Sequence, residues 1–113
     1  MFALRVEGES MIGVGILPGD IVIVQRQSTA LPDEIRSGEI VVAMVDDEVT
    51  VKTLRRTGRR VELHPENPRY KPIVLSGPES RGRELRILGK VVEVRRYLGG
   101  GRQYRSRLGR RQG

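Results

Sequence analysis

"GEIVVAMVDDEVTVKTL", residues 38–54, decides the fold. Two valine-rich runs flank Asp46-Asp47, which reads as a β-hairpin with a turn of weaker chemistry than Asp-Gly. In the second run the period is two. Val49, Val51 and Thr53 face one way, and Thr50, Lys52 and Leu54 face the other. Working outward, Thr57-Gly58 turns that strand into "RRVELH", a better hairpin signal. Residues 2–6 (FALRV) form a first strand, and residues 21–24 (IVIV), after Pro18-Gly19-Asp20, form an unbroken β-branched run expected to be covered on both faces. Beyond the loop "PENPRYKP" come two more strands, residues 73–75 and 85–96. No helix signal competes. The expected fold is mostly β: a small, partly open barrel-like sheet of short antiparallel strands spanning residues 1–98.

Composition agrees. The chain has 113 residues, enough for one small domain, and is 37% hydrophobic with only 4% aromatic, so β-branched residues carry the core. It has no cysteine, which excludes disulfides and thiolate metal sites. No apolar run reaches the ~20 residues of a membrane span and no signal-peptide pattern follows Met1, so the expected location is cytoplasmic, with no membrane, metal or cofactor. The net charge of +7 is unevenly spread. Residues 99–113 hold Arg102, Arg105, Arg107, Arg110 and Arg111 and no acid, and without them 16 basic residues face 14 acidic ones. That glycine- and arginine-rich stretch is expected to be a disordered basic tail, either a solvated end or a nucleic-acid contact.

The chemistry centres on "VEGESMIGVGILPGD", residues 6–20, where Ser10 sits in a glycine-framed turn. Ser10 is either a turn residue or a nucleophile, and a serine needs a neighbouring base. Two residues qualify. His64 stands at the exit of a strand into a proline-bounded loop, with no aspartate in evidence to complete a triad. Lys52 is one of three lysines against 18 arginines, placed mid-strand in a sheet apolar on both faces. Either it snorkels to solvent from the sheet edge, or it is desolvated, which lowers a lysine's proton affinity as a base requires.

Together, "VEGESMIGVGILPGDIVIV", "GEIVVAMVDDEVTVKTL" and "VELHPENPRYKPIVL" resemble, in order and spacing, the C-terminal domain of LexA repressors, which UmuD-type mutagenesis proteins and phage repressors share. The resemblance runs from Phe2 to Leu98 and rests on G-x-S-M followed by Gly-Asp, then V-K-x-L, then P-E-N-P. It implies that Ser10 is a nucleophile and Lys52 its general base. It further implies an oxyanion pocket of backbone N–H groups at Glu9, Ser10 and Met11, and a structural Asp20. The final strand, "GKVVEVRRYL", matches the segment through which LexA domains pair edge to edge as homodimers, here Val91, Val92, Glu93, Val94 and Arg95. In that family the Ser-Lys dyad cuts its own chain at an upstream Ala-Gly bond, favoured by RecA filaments on single-stranded DNA. The cut frees a winged helix-turn-helix domain and derepresses the SOS regulon.

The sequence departs from this pattern in two places. Nine residues precede Ser10 and no Ala-Gly dipeptide occurs, so DNA-binding domain and cleavage site are expected to lie outside this chain; the arginine tail follows the point where the family usually ends. Alternatives are a UmuD-like or phage-repressor-like autoprotease, a dimerisation module with silent catalysis, and a protein binding nucleic acid through its tail. Signal peptidases share Ser-Met and lysine chemistry, but they carry membrane anchors and a proline soon after Ser-Met, where this chain has Ile12-Gly13.

Overall fold

The computed structural model describes residues 1–27, 35–78 and 81–98. The expected tail, 99–113, lies outside the described residues. Among the described residues seven strands follow in order: β1 (Phe2–Arg5), β2 (Ile21–Arg26), β3 (Ile40–Val45), β4 (Glu48–Thr57), β5 (Arg60–His64), β6 (Ile73–Val74) and β7 (Leu85–Arg95). All pair antiparallel in one sheet of order β1-β2-β7-β3-β4-β5-β6. Its outer strands do not pair with each other, so it is an open sheet, as the strand pattern predicts. Among the described residues the one helical feature is a 3-10 turn, Ile12–Val14.

The central hairpin forms as its sequence dictates. Val45 pairs with Glu48 across the turn, where Asp46 and Asp47 both take positive φ, 49° and 72°. That is the mirror-image turn whose twist matches the strands, and aspartate tolerates it better than bulkier residues do. Two apolar clusters lie on this hairpin's two faces. Val42 and Val51 join Val6, Met11, Ile16, Val22 and Val24 in the first. Val41, Ala43, Val45 and Leu54 join Ile35, Leu63 and Ile87 in the second. Because β3 and β4 are sandwiched between cores, both faces of β4 are buried from Val51 to Leu54. In β2 the expectation of equal cover holds on one side only, since Val22 and Val24 are fully buried while Ile21 and Ile23 are half-buried.

The last strand occupies the middle of the sheet. Leu85–Lys90 pairs β3 on one flank, and Gly89–Arg95 pairs β2 on the other. Gly89 sits where these strands crowd: a Cβ there would lie 2.4 Å from the Gln25 carbonyl oxygen. The expected edge is therefore confined to Val91–Arg95, which among the described residues has one flank unpaired by any strand. Val92 and Val94 are 46% and 40% exposed there.

Candidate active site

Ser10 lies in the Val6–Asp20 loop, whose ends are clipped by Val6 N–H to the Asp20 carbonyl (2.8 Å) and Gly19 N–H to the Val6 carbonyl (2.9 Å). Met11 and Ile16, 1% and 3% exposed, anchor the loop in the first core. Asp20 is buried, and its carboxylate accepts three hydrogen bonds from two residues. Leu17 N–H donates to Oδ2 (2.8 Å), and Arg96 donates Nε–H to Oδ1 and Nη2–H to Oδ2, both at 2.8 Å. Arg96 also donates to the Gly15 carbonyl (2.7 Å), tying the loop to the end of β7. The Arg96 guanidinium, with the Leu17 amide, holds the Asp20 carboxyl below its ordinary range against the opposing effect of burial. Asp20 is thus a structural anchor, as the resemblance implies.

The loop's other side is held by Pro65–Asn67. Glu66 N–H donates to the Ser10 carbonyl (2.7 Å), Gly13 N–H to the Glu66 carbonyl (2.8 Å), and the Asn67 side-chain amide to the Glu9 carbonyl (2.8 Å). Residue 13 has no room for a side chain, since a Cβ would lie 2.4 Å from the Glu66 carbonyl oxygen.

Lys52 meets Ser10 from β4. It stands opposite Val41, on the face that carries Leu54, and is 9% exposed, so it does not snorkel from an edge. Its Nζ lies 3.1 Å from Ser10 Oγ and hydrogen-bonds Thr50 Oγ1. Among the described residues it makes no ion pair, and burial alone lowers its proton affinity. Thr50 shares the Lys52 face of β4, and the two-residue spacing along one strand is the only mark of it in the sequence. His64, the other candidate base, points elsewhere, with Nε2 2.6 Å from Glu62 Oε1.

The pair opens onto a cleft of about 410 Å³ lined by Leu4 to Met11, Val49 to Lys52 and Tyr70. Among the described residues, no group of His, Asp or Glu is placed to hold a metal ion, and no helix is long and apolar enough to cross a membrane. What the arrangement can do is remove a proton from a serine hydroxyl with an amine and present the alkoxide to an open groove.

Residues 1–92 match the Peptidase S24-like family model. The chain is 49% identical over 96 residues to the LexA repressor of Syntrophotalea carbinolica, covering 85% of this chain and 43% of that protein. It is 52% identical over 95 residues to the LexA repressor of Oleidesulfovibrio alaskensis (84% and 42%), and 45% identical over 98 residues to that of Desulfitobacterium hafniense (87% and 42%). The chain thus spans about two fifths of the length of these curated relatives.

Proposed function

The chain belongs to the peptidase S24-like family, and from that premise we propose that it is the C-terminal domain of a LexA-type SOS repressor, a Ser-Lys peptidase that cuts its own parent chain at an upstream Ala-Gly bond. The observation that carries this reading is the 3.1 Å approach of a buried lysine amine to Ser10 Oγ. Neutral Lys52 takes the Ser10 hydroxyl proton while Oγ attacks the scissile carbonyl. The resulting oxyanion is met by N–H groups of Glu9, Ser10 and Met11. The ammonium formed on Lys52 then protonates the leaving amine, the peptide C–N bond breaks, and water, deprotonated by the same amine, hydrolyses the acyl ester. Thr50 orients the amine through its hydroxyl. The outer edge of β1 beside the cleft, unpaired by any strand among the described residues, offers backbone pairing to an extended substrate.

Residues 1–98 act as both peptidase and dimerisation unit, with 99–113 as a basic tail. Homodimers form along the open flank of Val91–Arg95, where an exposed valine edge left bare invites aggregation. DNA is bound through an N-terminal domain of the parent protein, and a RecA filament on single-stranded DNA promotes the cut. A UmuD-like or phage-repressor-like autoprotease shares the same chemistry and differs in what the cut releases. One substitution separates catalysis from assembly. Ser10→Ala is expected to abolish cleavage of a separately supplied Ala-Gly segment while sedimentation still reports a dimer. Cleavage by Ser10→Ala at the wild-type rate contradicts the mechanism, and a silent but dimeric wild-type protein reduces it to a dimerisation module.

A further inference from the structure

The oxyanion donors proposed above belong to a loop, and a loop amide stabilises a transition state only if its direction is fixed beforehand. Among the described residues, the N–H groups of Glu9, Ser10 and Met11 donate to no protein group. The carbonyls at the other ends of two of those peptide planes each accept a hydrogen bond from the Glu66–Asn67 segment. The Glu9 carbonyl accepts the Asn67 side-chain amide at 2.8 Å and, more weakly, Ile12 N–H at 3.4 Å. The Ser10 carbonyl accepts Glu66 N–H at 2.7 Å. A trans peptide is planar with C=O and N–H pointing in opposite directions, so holding the Glu9 carbonyl aims the Ser10 N–H, and holding the Ser10 carbonyl aims the Met11 N–H.

We propose that Asn67 is a positioning residue for the oxyanion site, its side-chain amide fixing the Glu9–Ser10 peptide so that Ser10 N–H faces the reacting carbonyl oxygen. The inference rests on the peptidase reading and adds to it a residue 58 positions from the bond it holds. Asn67 is suited to the task. It is 7% exposed, and its other end is anchored because Oδ1 accepts Arg69 N–H at 3.0 Å. That acceptor contact and the donor contact to a carbonyl fix which end of the amide is which. The neighbouring backbone prevents the loop from sliding, since Gly13 is pressed against the Glu66 carbonyl. A buried asparagine whose two bonds both go to backbone, one of them beside the nucleophile, does more than fill space.

The test compares Asn67→Asp, which keeps the acceptor for Arg69 and loses the donor, with Asn67→Ala, which loses both. Cleavage of an Ala-Gly peptide in trans is followed across pH, together with the affinity of a peptide boronate whose tetrahedral adduct on Ser10 Oγ places an oxygen in the oxyanion site. Both variants are expected to lose about 10–100-fold in plateau kcat, with KM within about twofold of wild type, and boronate affinity is expected to fall in step. The Glu9 carbonyl carbon resonance is expected to move in both, reporting the lost hydrogen bond without any substrate. Undiminished plateau kcat and boronate affinity in both variants overturn the proposal, as does an Asn67→Asp effect confined to a displaced pH midpoint, which places the new carboxylate's action on Lys52. Wild-type cleavage that survives Ser10→Ala or Lys52→Ala overturns the peptidase reading instead, and the oxyanion role with it.

Discussion

Replacing Lys52 by methionine is expected to make the protein more stable and inactive. Lys52 holds an amine in a site 9% exposed, between Val41 and Leu54, with two neutral hydroxyl oxygens and, among the described residues, no carboxylate. Holding an unpaired ammonium out of water costs up to several kcal/mol, a cost that an apolar side chain of similar length avoids. Against this, the Ser10 and Thr50 hydroxyls lose a partner, at about 1 kcal/mol or less each because both border the cleft. The expected net gain at pH 7 is about 1–2 kcal/mol, or roughly 1 M in the urea midpoint for a domain of this size. The gain carries a pH signature. Burial lowers the proton affinity of Lys52 in the folded state, so over the interval below its ordinary value of 10.5 the unfolded chain binds more protons than the folded one. Wild-type stability therefore rises through that interval relative to Lys52→Met, and the variant's advantage shrinks as pH approaches 10.5. Urea titrations at pH 7 and pH 10 measure this directly. A variant less stable than wild type at pH 7, or an advantage unchanged at pH 10, refutes the reasoning.

Two further substitutions probe the surroundings of the pair. Thr50→Val removes the hydroxyl that hydrogen-bonds the Lys52 amine; the cleavage rate is expected to fall at least about tenfold, with the pH midpoint displaced downward because the ammonium loses an acceptor, as a pH–rate profile will show. Asp20→Ala leaves the Leu17 amide and the Arg96 fork without their acceptor and is expected to cost about 2–3 kcal/mol at pH 7 by urea titration. Because the folded-state Asp20 carboxyl sits below its ordinary value of 3.8, its contribution is complete above that value and lost as pH falls through the lowered one, so the gap between variant and wild type closes in acid.

Much of this was legible along the chain because strands are written with a period of two. The alternation in β4 places Lys52 beside Leu54 and opposite Val51, and the two cores confirm that division. The Asp46-Asp47 turn was visible for the same local reason. What escaped is non-local. The insertion of β7 between β2 and β3 depends on pairings no short window contains, so a strand read as an edge proves interior over half its length. The Arg96–Asp20 fork joins residues 76 apart, and among 18 arginines nothing in sequence marks Arg96. The P-E-N stretch read as a loop; only packing reveals that its backbone and Asn67 hold the serine turn.

The most direct measurement is the pH–rate profile for cleavage of an Ala-Gly segment supplied in trans, from pH 7 to 10, for wild type and Lys52→Ala. A lysine working as base predicts a rate that rises with pH to a plateau as the amine loses its proton, with a midpoint below the ordinary lysine value of 10.5 because burial disfavours the charged form. Lys52→Ala is expected to show no such rise. Cleavage by Lys52→Ala with the wild-type profile would contradict the account at its centre, because the amine 3.1 Å from Ser10 Oγ would then not be the base.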